Sequence, residues 1–134
     1  MKKFSVIGAN SSLAKNFIYF LRDKKVTLSL YDIQEKSDDN CKNYNQINFS
    51  CDGDIQEIDF DCDAVFIFSG LTGAETSMRQ AAEFIDANEK FLVKMLDKIK
   101  DSNARCRVVY PSSRLVYKDV DGILEENSQL EAKS

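Results

Sequence analysis

The 134-residue chain contains no histidine. That removes a Cys/His zinc site and any Ser-His-Asp or Cys-His nucleophilic mechanism from within these residues. Its four cysteines, Cys41, Cys51, Cys62 and Cys106, form no C-x-x-C pair and have the wrong spacing for a four-cysteine metal site. They read as structural or incidental thiols, kept reduced in a cytoplasmic chain. No apolar run approaches the ~20 residues of a membrane span. The opening "MKKFSVIGANSS" has two lysines and then apolar residues, but its apolar run ends after about six, short of a secretory h-region. No basic stripe with interleaved aromatics is present, and the net charge is −4, so a nucleic-acid surface is not expected. These absences leave a cytoplasmic protein with no membrane or nucleic-acid partner.

What is present is the balance of a soluble globular protein, 43% hydrophobic and 30% charged. The length suits one domain over 1–134, with no internal repeat and no interdomain linker. "KKFSVI" (2–7) reads as a short buried strand ending at Gly8. Leu13, Ala14, Phe17, Ile18 and Leu21 then recur at helical spacing, with Ser11 or Ser12 available as the N-cap. Residues 25–32 read as a second strand, 45–51 as a third by alternation, and 63–70 as a strand buried on both faces. A long helix is expected from about Arg79 to Lys100, with Phe84, Ile85, Phe91, Leu92, Met95, Leu96 and Ile99 on one side. Residues 106–113 read as a fifth strand, and the polar tail shows no period. The alternation predicts an α/β fold, a Rossmann-like doubly wound and mostly parallel sheet of about five strands. Only 11 residues (52–62) join the third and fourth strands, so the helix there is expected to be vestigial or absent.

The turn after the first strand, "GANSSLA", has the spacing G-x-x-S-x-x-A, with one glycine where a dinucleotide-binding turn usually has three. Those glycines serve a tight turn, close backbone approach to phosphate, and close helix–strand packing. Gly8 keeps the first, and Ala14 adds one methyl at the packing position. Ser11 is the main departure: its Cβ stands where backbone would approach the ligand, and its hydroxyl could offset this by donating to the phosphate. Asp32 ends the second strand, where an acidic side chain accepts from the adenosine ribose hydroxyls. Its charge would repel a 2′-phosphate, so NAD is expected ahead of NADP; Lys36 is a nearby cation that works against that preference.

Five features, "GANSSLA", Asp32, "DGDI" (52–55), "FSGLTG" (68–73) and "PSSRLVYK" (111–118), resemble the NAD-dependent epimerase/dehydratase family in order and spacing. These are extended short-chain dehydrogenase/reductases acting on nucleotide sugars. The resemblance implies that Gly8, Asn10, Ser11, Ser12 and Leu13 hold the cofactor at the first turn, with Asp32 at its ribose. It implies that Asp54 and Ile55, with Asp52 as runner-up, bracket the adenine. Phe68, Ser69, Gly70 and Leu71 match the segment that passes under the nicotinamide ribose side. Asn88 matches the family's helix asparagine, and Phe91 stands where the family has glycine. Ser113 falls at the catalytic serine, whose hydroxyl would bond the sugar oxygen being oxidised or reduced; Tyr117 falls at a packing position.

The family's base, a tyrosine in Tyr-x-x-x-Lys with a lowered phenol pKa, has no counterpart, because none of the five tyrosines has lysine four positions on. The expectation is therefore the cofactor-binding portion of an enzyme, truncated before that helix and inactive by itself. The alternative is a non-catalytic dinucleotide-sensing or scaffold module complete at this length. A possible homodimer beside the 79–100 helix, and self-association through apolar surface left uncovered, are also expected. Asp59, Asp61 and Asp63 have calcium-loop spacing, but Ala64 and Gly70 stand where that loop needs glycine and glutamate, so no metal is expected.

Overall fold

The computed structural model describes residues 1–36, 43–49, 52–72, 79–113, 116–119 and 121–131. Strand β1 (Lys2–Ile7) leads into helix α1 (Ser12–Leu21) and strand β2 (Val26–Asp32). Strand β3 (Tyr44–Gln46) and helix α2 (Asp52–Gln56) precede strand β4 (Ala64–Ile67). A long helix then runs as α3 (Ala81–Ile85), a π-helical turn (Asp86–Lys90) and α4 (Phe91–Asp101), before strand β5 (Arg107–Val109). The sheet has the order β3-β2-β1-β4-β5 with every pair parallel.

A parallel sheet covered on both faces needs apolar residues on both sides of its strands, and period-two alternation sorts them here. Ile7, Tyr31, Val65 and Ile67 face a core shared with Phe91 and Met95 of α4 and with Ile47, Ile55, Ile58 and Phe60. Val6 and Leu30 face the other way, against Ala9 and Ala14, with Phe17, Ile18 and Phe68 packed around them. Phe66 bridges this second layer, 4.4 Å from the Phe17 ring and 5.4 Å from that of Phe4. Two inner polar groups are satisfied locally: the Ser5 hydroxyl donates to the Asp59 carbonyl (2.7 Å) and the Tyr31 hydroxyl accepts from the Asp59 amide (3.0 Å). Burial, opposed in part by that bond, raises the Tyr31 phenol above its ordinary value.

Several elements are shorter than the sequence suggests. The third strand stops at Gln46, because Asp32 ends β2 and the pairing partner runs out; residues 50 and 51 of the expected strand lie outside the described ones. The fourth and fifth strands contract to four and three residues. The short connection before β4 holds a five-residue helix, α2, tied to α4 by Lys98, whose ammonium donates to the carbonyls of Ile55 (2.6 Å) and Ile58 (3.2 Å). Partial burial of that ammonium lowers its pKa.

The expected single apolar face of the long helix is also corrected. Phe91 and Met95 are buried, with Leu92 and Ile99 packed beside them, but Ile85 and Leu96 are exposed. A π turn adds a residue to the repeat, so Ile85, before it, no longer shares the stripe of Phe91 and Met95; Leu96, after it, is turned about 100° from Met95 by the ordinary helical rotation. On α1, Ala14 and Leu21 are buried, whereas Leu13 is 55% exposed in the first turn. The polar tail closes on itself through an antiparallel bridge between Tyr117 and Leu130.

Candidate functional site: a cleft at the β1–β4 switch point

In a sheet of this order the chain leaves β1 toward one edge and returns to β4 on the other side, opening a crevice at the strands' carboxyl ends. A cavity of about 720 Å³ lies there, within the usual range for small-molecule sites.

Its floor is the turn after β1. Gly8 has φ +80°, and a Cβ there would stand 2.4 Å from the Ser69 amide nitrogen and 2.7 Å from the Phe68 carbonyl carbon. The glycine thus meets two demands at once, a left-handed backbone and near-contact between the β1 turn and the end of β4. The amides of Gly8 and Ala9 both donate to the Tyr31 carbonyl (2.8 and 3.1 Å). Ser11 is the N-cap of α1, its Oγ accepting from the Ala14 amide at 3.2 Å. The extra Cβ at this position therefore comes with a helix-starting function. Helix geometry leaves the first amides of α1 without intrahelical partners, and those of Ser12 and Leu13 have no acceptor among the described residues. Ala14 is completely buried, so its methyl is accommodated at the packing position where a dinucleotide-binding turn usually has glycine.

Asp32 is 5% exposed. Its two carboxylate oxygens accept from the backbone amides of Asn10 (2.8 Å) and Gln34 (2.9 Å), which fixes the group at the cavity's edge. Asn10 contributes through its side chain as well: its amide nitrogen donates to the Glu35 carbonyl (3.0 Å) and the Tyr44 hydroxyl (2.8 Å), and that hydroxyl donates to the Gln34 carbonyl. The turn after β1 and the loop after β2 are one hydrogen-bonded unit.

The opposite wall is the segment Phe68–Leu71. Gly70 has φ +146°, and a Cβ there would meet the Asn88 Oδ1 at 2.5 Å. Asn88, in the π turn, grips Leu71 twice: it accepts from the Leu71 amide (2.8 Å) and donates to the Leu71 carbonyl (3.0 Å). Asn88 is outside the cavity lining but holds Leu71, which forms part of it. The Ser69 hydroxyl is buried without a hydrogen-bond partner among the described residues.

Of the residues expected from sequence, Gly8, Asn10, Ser11, Asp32, Phe68, Ser69, Gly70 and Leu71 line one cavity. Ser12 and Leu13, in the first turn of α1, are outside the cavity lining. Asp54 and Ile55 are not brought into it: the Asp54 carboxylate accepts from the Asn48 amide (2.7 Å), and Ile55 is 3% exposed in the core. Asp52 pairs with Lys94 (2.7 Å). Ser113 is exposed beyond the end of β5, outside the cavity lining. Lining residues that sequence reasoning missed come from the loops after β2 and β3 (Ile33, Gln34, Phe49) and from the long helix (Glu83, Asp86, Ala87, Lys90, Phe91, Lys94). Among the last group, Asp86 and Lys90 pair at 2.6 Å. Among the described residues no cluster of His, Cys, Asp or Glu could hold a metal, and no helix is long and apolar enough to cross a membrane.

Fold and cleft together define a doubly wound α/β domain of the nucleotide-binding class. The family model for the NAD dependent epimerase/dehydratase family matches residues 5–134, and the chain belongs to that family. Among curated proteins none matches it. A solved structure similar to it is a UDP-glucose-4-epimerase from Stenotrophomonas maltophila with bound NAD and formylated UDP-arabinopyranose, at TM-score 0.81 and 17% identity over 100% of this chain and 44% of that one. The UDP-Glc/GlcNAc 4-epimerase from Campylobacter jejuni is similar at TM-score 0.78 and 12% identity, over 98% and 43%. A GalE-like L-threonine dehydrogenase from Cupriavidus necator matches at TM-score 0.70 and 16% identity, over 86% and 38%. The chain thus spans under half the length of these proteins.

Proposed function

We propose that this chain, as a single domain over 1–134, is the NAD-binding portion of a cytoplasmic nucleotide-sugar epimerase or dehydratase. The observation that carries the reading is the pairing of a turn that a Cβ at Gly8 would fill with a buried Asp32 held by two amides. The Ser12 and Leu13 amides, at the positive end of α1, suit a pyrophosphate. Asp32 keeps lone pairs for ribose hydroxyls, and its charge disfavours a 2′-phosphate, so NAD is preferred over NADP. Asn88 keeps the Gly70–Leu71 backbone against the ligand's other half. When bound, the nicotinamide supplies a hydride acceptor and donor. Ser113 is the residue of this chain that would bond the reacting sugar oxygen.

The missing Tyr-x-x-x-Lys supports binding without turnover by these residues alone. The exposed apolar residues Ile85, Val93 and Leu96 on the long helix support pairing with a second copy.

The test is a calorimetric titration of the chain with NADH and with NADPH. NADH binding at least tenfold tighter is expected, with Asp32→Asn narrowing the gap. Saturable binding of neither would overturn the reading. Turnover of a UDP-sugar at ordinary enzyme rates would overturn the claim of binding without catalysis.

A further inference from the structure

At the amino ends of the strands, away from the cleft, two of the four cysteines meet. Cys62 shortly precedes β4 and Cys106 precedes β5, and both are free and half-buried. β4 and β5 pair in parallel with Ala64 opposite Arg107. One step back, Cys106 stands opposite Asp63, whose carbonyl accepts from the Arg107 amide at 3.1 Å. Strands about 4.8 Å apart and an offset of one residue, about 3.3 Å, put the Cα atoms of Cys62 and Cys106 about 6 Å apart. A disulfide spans Cα separations of about 4.4–6.8 Å. Regular alternation would send the two side chains to opposite faces. The chain bends at Cys62 instead: its amide donates to the Phe60 carbonyl (2.8 Å) and its thiol to the Ala64 carbonyl (3.4 Å). Both cysteines consequently pack against one core cluster, that of Ile7, Val65 and Met95. A side-chain hydrogen bond joins the two sulfurs, and burial, followed by the neighbouring Cys62 sulfur, raises the Cys106 thiol above its ordinary value.

Adjacent thiols in a reducing compartment stay reduced, and a disulfide between them is transient and redox-sensing. We propose that Cys62 and Cys106 are a redox pair that closes to a disulfide when a small disulfide such as oxidised glutathione accumulates. One cysteine thiolate attacks a sulfur of glutathione disulfide, forming a mixed disulfide and expelling a glutathione thiolate. The other cysteine's thiolate attacks the protein sulfur of that mixed disulfide and expels the second glutathione. Two cysteine thiols are thereby oxidised to one disulfide, glutathione disulfide is reduced to two thiols, and the cysteine protons end on them. The bond ties the start of β4 to the start of β5 and closes a loop that holds the Phe68–Leu71 wall and the long helix. Such a cross-link restricts the unfolded chain, and more so for a long loop. It lies at the opposite end of the strands from the cleft, so the inference stands whatever the cleft binds.

The experiment exposes the reduced chain carrying Cys41→Ser and Cys51→Ser to glutathione disulfide and follows intact mass and free thiols. The mass should fall by two hydrogens, both thiols should disappear, and digestion should yield the Cys62 and Cys106 peptides joined. A lasting glutathione adduct, or two unreacted thiols, would overturn the proposal. In the unaltered chain, peptide mapping after the same treatment should give the same link; links from Cys62 or Cys106 to Cys41 or Cys51 in its place would overturn the pairing. The oxidised double variant should unfold at a higher urea midpoint than the reduced one, and dithiothreitol should reverse the gain. An equal or lower midpoint would overturn the claim that the native backbone accepts this bond.

Discussion

Replacing Gly8 with alanine tests the architecture of the cleft at its tightest point. A left-handed backbone costs an L-residue about 1–2 kcal/mol relative to glycine. The new methyl would also sit 2.4 Å from the Ser69 amide nitrogen and 2.7 Å from the Phe68 carbonyl carbon. Both are backbone atoms of the segment leaving β4, so no rotamer change can relieve the clash. Overpacking of this kind adds about 1–3 kcal/mol, giving a loss of about 2–5 kcal/mol against the 5–15 kcal/mol of an ordinary domain. Gly122 supplies the control. Its φ is +151°, but an added Cβ meets nothing within 4 Å, so Gly122→Ala carries the backbone penalty alone. Urea unfolding of the three proteins should show Gly8→Ala with a clearly lower midpoint than Gly122→Ala, at an unchanged slope. Equal midpoints for the two variants would refute the claim that the β1 turn is pressed against the end of β4.

Three further outcomes are expected. Asn88→Ala removes two hydrogen bonds to Leu71, costing about 1–2 kcal/mol in urea unfolding, and should weaken NADH binding severalfold by calorimetry. Lys98→Met takes a charged donor from the Ile55 and Ile58 carbonyls, and a loss of about 1–3 kcal/mol should appear as faster amide exchange in α2. Because burial raises the Tyr31 phenol, its contribution to stability is complete below pH 10 and is lost as pH rises through the folded-state value. Alkaline unfolding followed by tyrosinate absorbance should therefore show less loss of stability above pH 10 in Tyr31→Phe than in the unaltered chain.

The parts of the fold legible in the sequence are those set by local pattern. The apolar runs of β1 and β4, the spacing along α1, and the punctuation by Gly8 and Asp32 each show the physical need that placed them. Sequence patterning could not show the π turn, since its extra residue shifts the helical phase without a compositional mark. The expectation for Ile85, which precedes the turn, failed there. The wall formed by Ile33, Phe49 and Phe91 arises where three distant segments meet, and a lone phenylalanine in each reads as core. Phe91 carried the one available signal, a large ring where the family has glycine. Asp54 and Ile55 show the converse limit. A matching motif fixes which residues stand at a position, while the hydrogen bond to Asn48 and the packing around Ile55 decide what they touch.

The central claim is that the β1–β4 cleft is an NAD site, and amide NMR on the labelled chain during titration with NAD tests it most directly. Saturating shifts are expected at Gly8, Ser12, Leu13, Ile33, Phe49 and Phe68–Leu71, with the tail 121–131 unmoved. Absence of shifts at the Gly8–Leu13 turn, or shifts confined to that tail, would contradict it.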